Sequence, residues 1–145
     1  MAMDYTFIHP PTLDPVIKNH ISSLYRTVDI GPESAQAWAA HFAEDAILKK
    51  SPNEIKGREN LEKSIAGSWA PLKSRKHIVY KVFPFGDEGG KQEVMLHGRS
   101  LNVYKDGTDG TFTWAARLRF KKVADDKVLV ERYTIIVDPT PALEE

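Results

Sequence analysis

From residue 14 to residue 28 the apolar positions fall at Ile17, Ile21, Leu24 and Val28, a spacing that puts one stripe on one face of an α-helix. Asp14-Pro15 opens that helix, with Asp as N-cap and Pro at the first helical position, where its missing N–H is not needed. Gly31-Pro32 ends the segment. Ser34 can cap a second helix over residues 35–43, whose apolar face is Ala35, Trp38 and Phe42. Residues 46–48 form a short strand, and Ser51-Pro52-Asn53 a turn. Leu61, Ile65 and Trp69 recur every fourth residue and predict a third helix over 58–69, stopped by Pro71.

Beyond residue 76 the period changes from helical to alternating. Residues 77–83 are β-branched and aromatic, residues 86–90 are a glycine-rich turn, and residues 94–104 form a long strand closed by the hairpin signals Asp106-Gly107 and Asp109-Gly110. Phe112, Trp114, Ala116, Leu118 and Phe120 alternate with Thr113, Ala115, Arg117 and Arg119, the pattern of a half-buried strand. A turn at 124–126 leads to the last strand, 128–137, ended by Asp138-Pro139. A meander of long hairpins with helices on one face is an α+β architecture. Residues 1–13 read as an extended arm broken by Pro10-Pro11, residues 14–138 as the domain, and residues 139–145 as a tail. Ala115, Val130 and Ile136 are expected on the outer sheet face and predict a homodimer through it.

Composition narrows the function classes. The 145 residues fit one domain. Twenty basic residues balance twenty acidic ones, so there is no field to gather nucleic acid or an anionic membrane, and neither is expected as a partner. No apolar run approaches the roughly 18 residues of a membrane span, and the first residues lack the charged and apolar regions of a signal peptide. A cytoplasmic protein is the default. There is no cysteine, which removes disulfides, thiolate metal sites and a Cys nucleophile. The histidines His9, His20, His41, His77 and His97 never fall at helical metal-ligand spacing. No phosphate loop or nucleophile elbow occurs. Neither a metal nor an organic cofactor is expected.

Several local patterns occur in a telling order. They are Trp38-x-x-x-Phe42-x-x-Asp45-Ala46, Gly57-Arg58-Glu59-Asn60-Leu61, Lys76-His77-Ile78, and Gly98 ahead of Tyr104-Lys105-Asp106-Gly107. Trp114-Ala115-Ala116-Arg117 and residues 133–138 complete the set. With the element order, the chain resembles the NTF2-like superfamily over residues 14–138, especially its SnoaL-like branch of polyketide cyclases. That resemblance implies a cone of three N-terminal helices packed in a strongly curved antiparallel sheet, with a cavity between them. Relatives include scytalone dehydratase, ketosteroid isomerase and limonene epoxide hydrolase, while others only carry a ligand or dimerise. Two readings follow. One is a cofactor-independent acid–base enzyme, a cyclase, isomerase or dehydratase, acting on a hydrophobic polyketide or terpenoid intermediate. The other is a non-catalytic small-molecule-binding or dimerisation module. An open cavity on which at least two ionisable groups converge favours the enzyme.

The resemblance also nominates residues. His77 starts the first long strand at a place similar to a catalytic histidine of scytalone dehydratase, where an imidazole can move a proton near neutral pH. That dehydratase carries a Tyr and an Asp in about the region of Tyr25 and Asp29, although the spacing here differs and Asp29 could instead cap the next segment. His97 lies on the neighbouring strand, but the register gives Gly98 the place of the dehydratase's second histidine. Trp38, Trp69, Trp114 and Tyr133 are pocket walls or ordinary core. His41, beside the Trp38 and Phe42 stripe, is expected at the cavity mouth. Asp45 reads as a helix end, and Arg117 with Glu131 as a cross-strand ion pair.

Overall fold

The computed structural model describes residues 5–88 and 91–141. In chain order the elements are α1 (Pro15–Val28), a 3-10 turn (Pro32–Ser34), α2 (Ala35–Ala39), β1 (Phe42–Lys50), β2 (Asn53–Lys56), α3 (Arg58–Ser68), β3 (Leu72–Glu88), β4 (Lys91–Tyr104), β5 (Asp109–Ala124) and β6 (Lys127–Pro141). One sheet runs in the order β2-β1-β6-β5-β4-β3. Its pairs are antiparallel except β1 with β6, which is parallel. The sheet is therefore mixed rather than wholly antiparallel, because β1 joins a strand that the chain reaches only after three further long strands.

The α+β class holds, but only two α-helices precede the first strand, and α3 follows the β1–β2 hairpin. The second helix is five residues long rather than nine. His41 donates its backbone N–H to Trp38 O at 3.0 Å, closing the helix, and its carbonyl accepts from Val130 N at 2.9 Å, drawing the chain into the sheet. β2 was not foreseen, and β6 runs on past Pro139, where the sequence suggested a stop. The glycine-rich turn of 86–90, the first four residues and the last four lie wholly or partly outside the described residues. The arm is not free-standing: Ile8 donates to Tyr80 O and accepts from Val82 N, each at 2.9 Å, which adds a bridge to the edge of β3.

Two bulges decide which side chains face inward. In β6 the register passes from Arg119↔Arg132 to Phe120↔Val130, so Glu131 is the extra residue. An extra residue reverses side-chain parity, and Val128, Val130 and Tyr133 are all buried. Val130 is thus core, not outer face, while Ile136 is 60% exposed on the outside. The same shift redirects the ion pairs: Arg119 meets Glu131 at 3.0 Å, and Arg117 pairs with Glu93 instead. In β3 the register passes from Val79↔Gly98 to Lys81↔His97, leaving Tyr80 unpaired. The main core joins Ile17, Ile21 and Leu24 of α1 to Phe42, Leu96, Leu118, Phe120 and Val130.

The seam between α1 and α2 is polar. His20 Nε2 donates to His41 O at 2.9 Å, and Ser23 Oγ lies 2.8 Å from His41 Nε2. His41 Nδ1 lies 3.0 Å from both Ala37 O and Trp38 O. Since a carbonyl only accepts, Nδ1 carries the proton and Ser23 donates to Nε2. Burial pushes His20 down from the usual 6.5 to about 4; the hydrogen bond to His41 O opposes this, and the charges of His41 and Lys127 add to it. The unfolded chain then holds more protons than the folded one between those values, so stability falls as pH drops through that window. Between pH 7 and pH 5 the His20 share is about 2 kcal/mol. Urea denaturation at the two pH values is expected to show this loss, and His20→Gln is expected to reduce it. An equal loss in the variant rejects the assignment.

Candidate active site

A cavity of about 470 Å³ opens between α1, α3 and the sheet, with Tyr25, Trp38, His77, Trp114 and Tyr133 in its wall. That volume suits a small ligand. His77 enters it from β3, on the inward parity shared with Arg75 and Val79. Its ring packs with two aromatic rings, 5.3 Å from Tyr25 and 5.7 Å from Trp114, which themselves lie 5.2 Å apart.

Behind His77 stands Asp29, the C-cap residue of α1. Asp29 Oδ1 lies 2.6 Å from His77 Nδ1, and Oδ2 accepts the His77 backbone N–H at 2.7 Å. Tyr5 adds a third donor, its hydroxyl 2.8 Å from Oδ2. Lys76 Nζ in turn donates to Tyr5 Oη at 2.9 Å and sits 4.1 Å from the centre of its ring. Burial and the Asp29 carboxylate both push the Tyr5 hydroxyl up, so it stays a donor. A carboxylate at the C-terminal end of a helix faces the negative pole of the helix dipole. The three donors offset that placement and hold Asp29, whose side chain is 4% exposed, against the imidazole. With Nδ1 bound to Asp29, Nε2 is the nitrogen left to the cavity.

Beside His77 the wall carries a pair of phenols. Tyr25 Oη and Tyr133 Oη are 2.7 Å apart and buried. Burial raises both above the ordinary phenol value, Tyr25 also through Tyr133. Two phenols hold two protons and share one between them, so one O–H remains to donate to a ligand oxygen.

The structure brings together His77, Asp29, Tyr25, Trp38, Trp114 and Tyr133 of the residues nominated from sequence. The other three lie elsewhere. His41 is in the α1–α2 seam, on a separate hollow with His20 and Ser23, because α2 ends too early to carry it to the mouth. His97 points to the other sheet face, its ring 5.3 Å from that of Tyr80, since its neighbours Leu96 and Gly98 take the inward positions. Trp69 is buried outside the cavity wall, with the Arg75 guanidinium 4.8 Å over its ring. Asp45 lies on β1, not at a helix end. Tyr5, Arg75, Lys76 and Asn102 were missed. Alternation from His77 reaches Arg75 directly, and hairpin register then reaches Asn102, but no pattern in the arm marks Tyr5. Among the described residues no helix is long and apolar enough to cross a membrane.

No family model and no curated protein matches the chain. Solved structures do. ActVI-ORFA from Streptomyces coelicolor superposes with a TM-score of 0.72 at 16% identity, over 85% of this chain and 95% of that one. A Novosphingobium aromaticivorans protein with the provisional name scytalone dehydratase gives 0.75 at 16% identity, over 88% and 87%. A type 2 hexachlorocyclohexane dehydrochlorinase, LinA, gives 0.73 at 14% identity, over 88% and 87%. At such identities the likeness is one of fold.

Proposed function

We propose that this chain, which has the NTF2-like fold and resembles its SnoaL-like branch, is a cofactor-independent acid–base enzyme for a hydrophobic small molecule. The observation that carries the reading is the Asp29–His77 pair, with the imidazole on an aromatic cavity and its Nδ1 held by a buried carboxylate. Asp29 fixes the tautomer and stabilises the imidazolium that forms when Nε2 takes a proton. The reaction class follows from what His77 can reach. It removes a proton from a carbon beside a carbonyl, and the Tyr25–Tyr133 pair donates to the oxygen on which charge develops. Return of the proton to another carbon is isomerisation. Departure of a β-hydroxyl, protonated by the imidazolium, is dehydration. Attack of the carbanion on a second carbonyl is cyclisation. Trp38 and Trp114 hold a flat substrate in place.

The test needs no knowledge of the natural substrate. 5-Nitrobenzisoxazole is apolar and planar, and loss of its C3 proton to a base breaks the N–O bond to give a coloured phenolate. Saturable turnover above buffer that disappears in His77→Gln supports the reading. Turnover that the substitution leaves intact rejects it, and so does saturable binding of the compound with no turnover, the behaviour of a passive binding module.

A further inference from the structure

The cavity has a second pole that the acid–base reading does not use. Two positions before His77 on β3, and so on the same face, Arg75 also lines the cavity. Its Nη2 donates to Ser68 Oγ at 3.0 Å and Ser68 O at 3.3 Å. Among the described residues Nε and Nη1 have no partner, and no carboxylate lies within 4.0 Å of the guanidinium. The nearby acid, Asp29, is already held by His77 and Tyr5. Desolvation lowers the Arg75 pKa from its ordinary value and outweighs the opposing pull of Asp29 and Tyr104, so the nearby acids only partly replace the water this charge has lost.

Register places Asn102 of β4 directly opposite Arg75, and it faces the same cavity. Its Oδ1 is buried with no hydrogen-bond partner among the described residues, and the same holds for Nε1 of Trp114. Buried polar atoms are almost always paired; Arg99 Nε is a third such orphan but lies outside the cavity wall, whereas Asn102 and Trp114 line it, where a water or a ligand atom can supply the missing partner. The three groups ask for different partners. The guanidinium takes an anion, preferably a planar carboxylate that it can grip with two N–H groups. Asn102 Oδ1 takes a donor, such as a hydroxyl. Trp114 Nε1 takes an acceptor oxygen.

We propose that Arg75, Asn102 and Trp114 form an anion subsite, and that the ligand is a planar hydroxylated carboxylate rather than a neutral hydrocarbon-like compound. The inference rests on the acid–base reading only for the direction in which the ligand lies. Neighbouring positions on one strand face are about 6–7 Å apart at the backbone, so one ligand can span Arg75 and His77. Trp69 is a positioning residue: its ring carries the guanidinium and Ser68 anchors one of its nitrogens. The substrate must then be supplied by a reaction that leaves an aromatic or polycyclic acid.

The test compares 3-hydroxy-2-naphthoate with its amide, which has the same shape and no charge, by titrating protein fluorescence. Wild-type protein is expected to bind the acid at least tenfold more tightly than the amide. Arg75→Gln is expected to abolish the preference, Arg75→Lys to restore part of it, and His97→Gln, on the far sheet face, to leave it unchanged. Equal affinities in wild type overturn the proposal, and so does a preference that survives in Arg75→Gln. Thermal melts of each variant separate loss of binding from loss of fold, and Arg75→Lys decides the matter if the glutamine variant does not fold. The arms separate this proposal from the preceding one. Lost benzisoxazole turnover in His77→Gln without a carboxylate preference sinks only the anion subsite. A carboxylate preference with no His77-dependent turnover sinks only the acid–base reading.

Discussion

His77→Gln is expected to lower the rate of 5-nitrobenzisoxazole elimination at least about 100-fold, a barrier increase of about 2.7 kcal/mol. Glutamine keeps most of the volume and can still reach Asp29 Oδ1, but its amide takes no proton at neutral pH. The backbone N–H of residue 77 still donates to Asp29 Oδ2, so the C-terminal end of α1 stays tied to β3. Stability is therefore expected to change far less than rate. Asp29→Asn is expected to have a smaller effect, roughly tenfold, because the imidazole remains while its tautomer and the charge behind it are lost. His97→Gln is the internal control, since that ring lies on the far sheet face beside Tyr80. If His97→Gln and His77→Gln lose the same activity, the effect is one of fold, and the assignment of His77 fails.

How far the sequence foretold this site depends on parity along the strands. The alternation of Phe112, Trp114, Ala116, Leu118 and Phe120 is unbroken, and every one of those residues except the half-buried Phe112 is buried. Trp114 was legible as one of the apolar-face residues for that reason, while the pattern left open whether it is pocket wall or core. Val130 could not, because the extra residue Glu131 reverses the face of everything before it. A bulge is a feature of pairing between strands, and a single strand carries no mark of it. His97 was ambiguous on the same ground until the register with β3 fixed Gly98 as the inward residue. The helical half was legible where the stripe was long, as in α1, whose Ile17, Ile21, Leu24 and Val28 are all buried. It was misread in α2, where the competition was between a helix and a strand that pairs only with the end of the chain. The Asp29–His77 contact bridges 48 residues. Family resemblance pointed to both residues, and neither periodicity nor propensity could have joined them.

Gly98→Ala is expected to remove about 3 kcal/mol of stability or more, which in a chain of this size lowers Tm by roughly 10 °C. A Cβ at that position would stand 2.1 Å from Ile78 O and 2.9 Å from Trp114 Cζ2. The first neighbour is backbone in a paired strand, so relief requires moving β3 itself at the point where Tyr80 bulges out of register. Gly67→Ala provides the contrast. It lies within α3, and a Cβ there meets nothing within 4 Å, so the same methyl is expected to stabilise by about 0.5–1 kcal/mol through helix propensity. Thermal melts of the two variants measure both signs, and a Gly98→Ala melt within error of wild type would show that the strands are not held this close. The contact also bears on mechanism. The place where the dehydratase resemblance would put a second histidine cannot take even a methyl group, because Trp114 and the β3 backbone occupy it. Among the described residues His77 is the one imidazole in the cavity wall, and under the acid–base reading the second proton-handling group is the adjacent Tyr25–Tyr133 pair.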